Sequence, residues 1–388
     1  MKIGIVIEEL DPARGGAQQW TWQFVRWLVA AGHEPHVVAR RFADCVQNAG
    51  LVLHTTRPAK ARLDFGAAAE EVLRELKLDV VHDMGDGWYC DVLMPHNGAR
   101  GAALQQNLQL LPAWLRPIKS RLAGLLPRYR EFAEMSRRQY AADGRIVIAL
   151  SKMVAADLQK HHGIKPEQIR LIYNGVNTDR FSPVHRSEHR EAVRARLHVQ
   201  PGETLFLIVA HNFALKGVPT LIRAVAELAW EGLPVRLAIA GGRRTGRAAR
   251  LAKQVGIADR VELLGSVPDA APYYAATDVY VQPTFYDPCS LVVLEALAAG
   301  VPTITSRFNG AGELITPGVE GSLVQDPADV GELADCLRWW CDPQRRERAG
   351  VAARQLALAQ SWERNCQEIL ALYEEITGRR GLSLRRAA

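Results

Sequence analysis

Short runs of apolar and β-branched residues recur along the chain, with helix-type segments between them. Within the first forty residues, an apolar run at 2–8 leads into a loop that ends in Gly15-Gly16, and a helical segment follows at 17–31. A second apolar run lies at 34–40. A strand, a helix and a second strand in this order are typical of a parallel, doubly wound sheet, so the pattern predicts an α/β fold.

This alternation occurs twice, on either side of a hinge-like segment near 174–185. Further buried strands are predicted at 78–84, 145–151, 169–174, 204–210, 235–242, 260–265, 278–284 and 301–306. Two Rossmann-like domains that face a central cleft are the simplest architecture, and such a cleft is the default ligand site. The predicted parts are an N-terminal domain at 1–178, a C-terminal domain at 179–359, a helix at about 360–377 that packs back on the first domain, and a basic tail at 378–388.

Charge and composition indicate which partners and which cellular compartment fit the chain. The net charge of +6 and the pI of about 9.0 favour anionic partners, which include nucleotide phosphates, nucleic acid and an acidic membrane surface. The first apolar run is interrupted by Glu8 and Glu9, which predicts a strand rather than a signal peptide and hence a cytoplasmic protein. The six cysteines form no C-x-x-C pair and no Cys/His cluster at zinc spacing, so we expect reduced thiols.

The segment 285–306 contains the clearest candidate site. An Asp-Pro pair leads into a helix that begins near Ser290, and the backbone amides of Cys289, Ser290 and Leu291 are predicted to bind a diphosphate or a sugar hydroxyl. Asp287 and Glu295 are eight positions apart, one before the helix and one in its second turn, and can flank one ligand.

A second candidate lies in the loop after the strand at 204–210. This loop opens a helix, which is a phosphate-binding position, and Lys216 supplies a positive charge for a diphosphate. Asn212 in the same loop is a further candidate donor ligand. The glycine pair that begins at Gly241 is followed by Arg243, a candidate for a second phosphate contact.

The segment with Asp287 and Glu295 resembles the acidic E-x7-E signature of retaining GT-B glycosyltransferases of family four, with Asp in the first position. The resemblance implies that Asp287 contacts the donor sugar and Glu295 the ribose, and that backbone groups near Val267 hold the nucleobase. It also implies that the Gly15-Gly16 loop approaches the donor phosphates, and that His96 touches the donor sugar. Similar enzymes carry an arginine in the loop with the lysine or just before it, so Arg243 or Arg244 is the expected substitute here.

Residues 128–183 resemble the lipopolysaccharide core glucosyltransferase I group, which implies retaining transfer of glucose from UDP-glucose to an inner-core heptose. No Asp-x-Asp motif is present, so we expect catalysis without a metal or another cofactor. A GDP-mannose donor, an inactive scaffold of the same fold and a non-enzymatic, basic nucleic-acid-binding protein are the alternatives. The last of these lacks an aromatic stacking platform and any helix-turn-helix or zinc signature, and we expect no nucleic acid partner.

A basic amphipathic segment at 112–138 has a net charge of +5, with apolar residues interleaved among the basic ones. Such a segment can lie in the interface of an anionic membrane. It predicts a peripheral protein on the inner face of the cytoplasmic membrane. The alternative is a helix that packs on the N-terminal sheet and leaves its basic side in solvent.

Overall fold

The computed structural model describes residues 1–47, 49–112, 114–123, 127–141, 143–242 and 245–387. It divides into two α/β units. The N-terminal unit comprises Met1–Tyr173 and Asn365–Ala388, and the C-terminal unit comprises Asn174–Arg364. The boundaries predicted at 178 and 359 each lie five residues from those of the structure.

The N-terminal unit contains a seven-stranded sheet in the order β5-β3-β1-β6-β7-β8-β9, in which all neighbouring strands are parallel. Its elements are β1 Lys2–Val6, β2 Glu9–Leu10, α1 Gly16–Ala30, β3 Glu34–Ala39, β4 Arg41–Phe42, β5 Val52–Thr55, α2 Arg62–Glu75, β6 Val80–Asp83, β7 Val92–Leu93, α3 Arg100–Gln109, α4 Leu115–Ala123, α5 Pro127–Gln139, β8 Ile146–Ala149, α6 Lys152–His162 and β9 Ile169–Leu171. β2 and β4 form a separate small sheet. The strands β1 and β8 are almost wholly apolar and buried, as expected for a parallel sheet that is covered on both faces, and β6 is buried throughout.

The C-terminal unit contains a six-stranded sheet in the order β12-β11-β10-β13-β14-β15, again parallel throughout. Its elements are α7 Arg186–Arg196, β10 Thr204–Val209, α8 Val218–Trp230, β11 Val235–Ala240, α9 Gly246–Gln254, β12 Val261–Gly265, α10 Ala271–Ala276, β13 Val279–Gln282, α11 Leu291–Ala298, β14 Thr303–Ser306, β15 Gly321–Val324, α12 Val330–Trp339 and α13 Pro343–Ala359. The apolar face of α8 packs on this sheet, with Leu221, Ile222 and Val225 completely buried. These two parallel α/β units confirm the predicted fold class.

The last helix, α14, spans Trp362–Ala387 and therefore includes most of the predicted basic tail. Tyr373 on this helix is completely buried, and its hydroxyl shares a hydrogen bond with Nδ1 of His82 at the end of β6. This contact anchors α14 to the N-terminal sheet. In the part of the chain that the structure describes, no helix is both long and apolar enough to cross a membrane.

The strand order of the C-terminal unit determines where a ligand can bind. From β10 the chain proceeds to β11 and β12 on one side, and then returns to add β13, β14 and β15 on the other. The loops that follow β10 and β13 consequently leave the sheet in opposite directions. Open α/β sheets bind ligands at such a switch point, outside the carboxyl ends of the strands.

Candidate functional site

The loop after β10 is a compact turn that ends in a glycine. The backbone carbonyl of Asn212 accepts a hydrogen bond from the amide of Lys216 at 3.0 Å, and its side-chain oxygen accepts one from the amide of Leu215 at 3.2 Å. Gly217 then adopts a φ of +76°, in the left-handed region, and α8 begins at the next residue. Asn212 therefore shapes the loop, and its side-chain oxygen is already used within it.

Lys216 and Asp287 join the two loops at the switch point. The ammonium Nζ of Lys216 lies 2.6 Å from Oδ2 of Asp287 and 3.5 Å from the carbonyl oxygen of Tyr286. The side chains of Lys216 and Asp287 are 19% and 14% exposed. An ammonium has three donors, so one remains for a ligand, and Oδ1 of Asp287 has no partner among the described residues. The two residues that the sequence assigned to phosphate and sugar are thus in direct contact.

The backbone of Asp287 is fixed from both sides. Its amide donates to the carbonyl of Phe308 at 2.9 Å, and its carbonyl accepts from the amide of Gly310 at 2.9 Å. Between these two residues, Asn309 is completely buried. The loop after β14 therefore fixes the backbone of Asp287, and Lys216 pairs with its carboxylate.

Asn309 is a site-forming residue that the sequence did not reveal. Its Oδ1 accepts hydrogen bonds from the amides of Ser290 at 3.2 Å and Ala311 at 3.1 Å. Its Nδ2 donates to Oγ1 of Thr305 at 2.9 Å and to Oε1 of Gln282 at 3.3 Å. One side chain thus ties the ends of β13 and β14 to the start of α11. A lone asparagine after a strand carries no sequence signal for such a role.

The helix start at 289–291 differs in part from the sequence prediction. Because the Ser290 amide donates to Asn309, and the residue is 3% exposed, this amide is not available to a ligand. Cys289 is also buried, which raises the pKa of its thiol to about 12. Leu291 is the first residue of α11, and first-turn amides have no acceptor within their own helix. Of the three predicted amides, that of Ser290 is used within the protein and that of Leu291 is a first-turn donor of α11.

Glu295 lies in the second turn of α11. The hydroxyl of Tyr274, a fully buried residue on α10, lies 2.9 Å from Oε2 of Glu295 and 3.2 Å from the carbonyl of Val292. Burial raises the pKa of Glu295 to about 7. A carboxyl group that is half-ionised at neutral pH, and positioned by a tyrosine, is typical of a ligand-binding residue. Tyr274 is a second site residue that the sequence did not identify.

The remaining predicted ligands of this unit lie in the loops after β11 and β12. Gly241 has a φ of +95°, and a Cβ there would lie 2.2 Å from the carbonyl oxygen of Ala210, so only glycine lets these two loops approach. Val267 is partly buried between β12 and α10. Arg243 lies outside the described residues, and so does the neighbouring Arg244.

The candidates of the N-terminal unit lie at the same edge of their own sheet. Gly15 is the N-cap of α1 and Gly16 its first residue, so the glycine loop leads into a helix N-terminus. His96 follows β7 and packs against Trp20, with ring centroids 5.1 Å apart. Burial lowers the pKa of His96 to about 4, so the ring is neutral at pH 7, and its Nε2 has no partner among the described residues.

The close approach at Gly217 gives a prediction for stability. A Cβ at this position would lie 2.1 Å from the carbonyl oxygen of Pro283, on the loop after β13. At Gly232, which has a similar φ of +83°, a Cβ meets nothing within 4 Å. We expect Gly232→Ala to cost about 1 kcal/mol of unfolding free energy, from left-handed strain alone. Gly217→Ala should cost about 2 kcal/mol more, because backbone must shift.

Urea unfolding of both variants measures this difference. Equal losses of unfolding free energy would show that the two loops are not in the close contact described here.

Comparison with known proteins gives two family matches. The model of the "Glycosyltransferase Family 4" matches residues 14–180, and that of the "Glycosyl transferases group 1" matches residues 203–342. Between them they span most of both units.

Among curated proteins, the D-inositol 3-phosphate glycosyltransferase of Nocardiopsis dassonvillei is 32% identical over 250 residues, 61% of this chain and 57% of the relative. The chain thus spans little more than half the length of that relative. The lipopolysaccharide glucosyltransferase WaaG of Escherichia coli is 27% identical over 335 residues, 84% of this chain and 85% of the relative.

Two solved structures show the same fold. A crystal structure of WaaG, described as a glycosyltransferase involved in lipopolysaccharide biosynthesis, matches with a TM-score of 0.81 and 23% identity, over 97% of this chain and all of that one. Anabaena HepE in complex with UDP-glucose matches with a TM-score of 0.73 and 19% identity, again over 97% and 100% of the two chains.

Proposed function

Since the chain belongs to the GT-B glycosyltransferases, we propose that it is a retaining hexosyltransferase that binds its nucleotide-sugar on the C-terminal unit. The observation that carries this proposal is the contact between Lys216 and Asp287 at the switch point of the sheet. It places a cation for a diphosphate beside a carboxylate for a sugar hydroxyl. The acceptor is a saccharide or a glycolipid.

Each group of this site has a role in the proposed reaction. Negative charge develops on the departing diphosphate, and Lys216 with the first-turn amides of α11 stabilises it most in the transition state. Glu295 binds the ribose hydroxyls, and Asp287 orients the sugar. His96 on the N-terminal unit stays a predicted sugar ligand.

We also propose how the acceptor attacks and why no metal is needed. The carboxylate of Asp287 is paired with Lys216, which lowers its nucleophilicity. We therefore propose front-face attack by the acceptor hydroxyl, whose proton passes to the departing phosphate, so that the configuration at the anomeric carbon is retained. Lys216 and the helix amides supply the positive charge that a divalent metal supplies in metal-dependent transferases.

The proposed donor is UDP-glucose, and the proposed pathway is the synthesis of lipopolysaccharide or another cell-envelope glycan. The match to WaaG over 84% of this chain and the UDP-glucose complex of HepE support this choice. GDP-mannose is the alternative donor.

A panel of UDP-, GDP-, ADP- and dTDP-sugars tests the donor, with EDTA present throughout. We expect one UDP-sugar to raise the melting temperature of the full chain and to be hydrolysed slowly, because a bound ligand stabilises the folded state. Stabilisation by a GDP-sugar instead would identify the alternative donor. Hydrolysis that stops in EDTA would contradict metal-independent catalysis.

We also propose that the surface around α4 lies on an anionic membrane, so that the protein is peripheral at the cytoplasmic face. The basic segment at 112–138 comprises two helices, α4 and α5, rather than one. Trp114 and Ile118 are 69% and 49% exposed, whereas Met135 on α5 is completely buried. The membrane-facing part is accordingly α4 with Trp114, and α5 is anchored in the N-terminal unit.

Binding to vesicles tests this surface. We expect Trp114→Ser to weaken binding to phosphatidylglycerol-containing vesicles about tenfold, because an exposed indole inserts at the interface. Trp230 on the C-terminal unit is equally exposed, at 67%, so Trp230→Ser is the matched control and should bind as the unchanged protein does. Equal binding by all three proteins in a sedimentation assay would exclude α4 as the contact.

A further inference from the structure

Three potential metal ligands converge at the start of α7, in the C-terminal unit. His185, Glu188 and His189 each offer one ligand atom, and these atoms all lie within 4.8 Å of one another. Nδ1 of His185 is 3.8 Å from Oε2 of Glu188, and Nε2 of His189 is 3.6 Å from the same oxygen. Ligand atoms around a tetrahedral zinc ion are separated by about 3.3 Å, so small side-chain rotations bring the three together.

Local structure explains why they converge. Residues at positions i, i+3 and i+4 share one face of a helix. Pro183 begins a short 3-10 turn that ends at His185, and α7 starts at the next residue, so the backbone is already helical through the three positions. The imidazole rings of His185 and His189 stack with centroids 6.2 Å apart. The chain thus presents two imidazoles and a carboxylate on one exposed face.

A backbone contact orients the first of these ligands. Nε2 of His185 lies 3.2 Å from the carbonyl oxygen of Asp179. Because a carbonyl only accepts, Nε2 carries the proton, and the lone pair is left on Nδ1, the atom that faces Glu188. A histidine ligand that donates its other N–H to a carbonyl is the usual arrangement around bound zinc. The turn that carries Asp179 is fixed in turn by Oδ1 of Asn177, which accepts from the amides of Asp179 and Arg180.

From this geometry we infer that His185, Glu188 and His189 form a binding site for a divalent transition-metal ion of the zinc class. Two imidazole nitrogens and one carboxylate oxygen suit zinc and exclude magnesium, which prefers oxygen ligands. Three protein ligands leave a coordination position for water, and the ligands are about one-third to two-thirds exposed. The ion therefore exchanges with solvent.

The three ligands are not among the residues assigned to the proposed reaction. They lie on α7 and the preceding turn, whereas Lys216, Asp287 and Glu295 lie after β10 and β13 and on α11. Arg180, in the turn before α7, pairs with Asp269 at 2.9 Å. The inference thus goes beyond the glycosyltransferase activity and does not rest on it. The expectation of no Cys/His cluster at zinc spacing overlooked this group. The spacing of His185 and His189 is visible in the sequence, but it brings the two rings to one face only when the segment is helical.

Calorimetric titration of the EDTA-treated, dialysed full chain with Zn²⁺ tests the site. We expect the unchanged protein to bind one more equivalent of Zn²⁺ than His185→Ala and His189→Ala, and Glu188→Gln to bind that ion at least tenfold more weakly. Zn²⁺ should raise the melting temperature of the unchanged protein but not that of the variants. Mg²⁺ should not raise the melting temperature of any of these proteins. Glu188 is mostly exposed, so Glu188→Gln tests the ligand set without disturbing the fold.

His198→Asn is the matched control, because His198 is an exposed histidine of the same unit outside the cluster. Asparagine tolerates the φ of +54° at that position. This variant should bind Zn²⁺ as the unchanged protein does. Identical stoichiometry and affinity in the unchanged protein and the three cluster variants would overturn the inference. Hydrolysis of the donor in EDTA should be the same in all of them, whether or not the donor assignment is correct.

Discussion

Replacing Lys216 with alanine is expected to lower the turnover number for glycosyl transfer by about 10³-fold. The side chain supplies a charge-assisted contact to the diphosphate as it departs, and removing one donor of this kind costs about 10²- to 10³-fold in rate. The substitution also leaves the carboxylate of Asp287, which is only 14% exposed, without its ion-pair partner. Steady-state kinetics with the donor identified by the panel measures the effect.

Two variants separate charge from geometry. Lys216→Arg keeps the positive charge but replaces a compact ammonium with a planar guanidinium, so we expect it to recover only part of the rate. Lys253→Ala removes an exposed lysine of α9 in the same unit and should be as active as the unchanged protein. Turnover of Lys216→Ala within a few-fold of normal would remove Lys216 from the site, provided that its melting temperature is unchanged.

Much of the fold could be predicted because the apolar runs of parallel strands are local and strong signals. All ten predicted strands contain a strand of the structure. The strands that were not predicted are short or lie at an edge: β2, β4 and β7 have two residues each, and β5 and β15 are edge strands of four residues each. A two-residue strand shows no periodicity, and its pairing is decided by the neighbouring strands.

The residues of the candidate site also differ in whether a local sequence pattern identifies them. Lys216, Asp287 and Glu295 could be selected as candidate ligands because each belongs to a local pattern, a loop or a helix start that follows a strand. Asn309 and Tyr274 could not, because their roles depend on contacts with residues 19 and 21 positions away. The Ser290 amide was assigned to a ligand for the same reason, since only the fold brings Asn309 to it. What the sequence misses are the residues that position the ligands.

Glu295 is a predicted ligand of the ribose, and its pKa is raised. Together these two properties predict that donor binding depends on pH. We expect Glu295→Gln to weaken binding of UDP-glucose about 30-fold at pH 8, because hydrogen bonds from the ribose hydroxyls to an ionised carboxylate are stronger than those to an amide. Tyr274→Phe should weaken binding less, about threefold, since it removes only the hydroxyl that positions the carboxylate. Glu347→Gln, at an exposed position on α13, should have no effect.

The sign of the pH effect follows from the raised pKa. Burial favours the protonated form of Glu295 in the free protein, so folding stability from this group declines as the pH rises from about 4.5 to about 7. A donor that binds the ionised form releases the proton, and its affinity therefore increases over that range and levels off above about pH 7. In Glu295→Gln the affinity for the donor should not increase over this pH range. The contribution of this position to the decline of folding stability with pH should also be absent. Calorimetry between pH 5.5 and 8.5, on both proteins, measures the two curves. Parallel curves would mean that Glu295 does not bind the ribose.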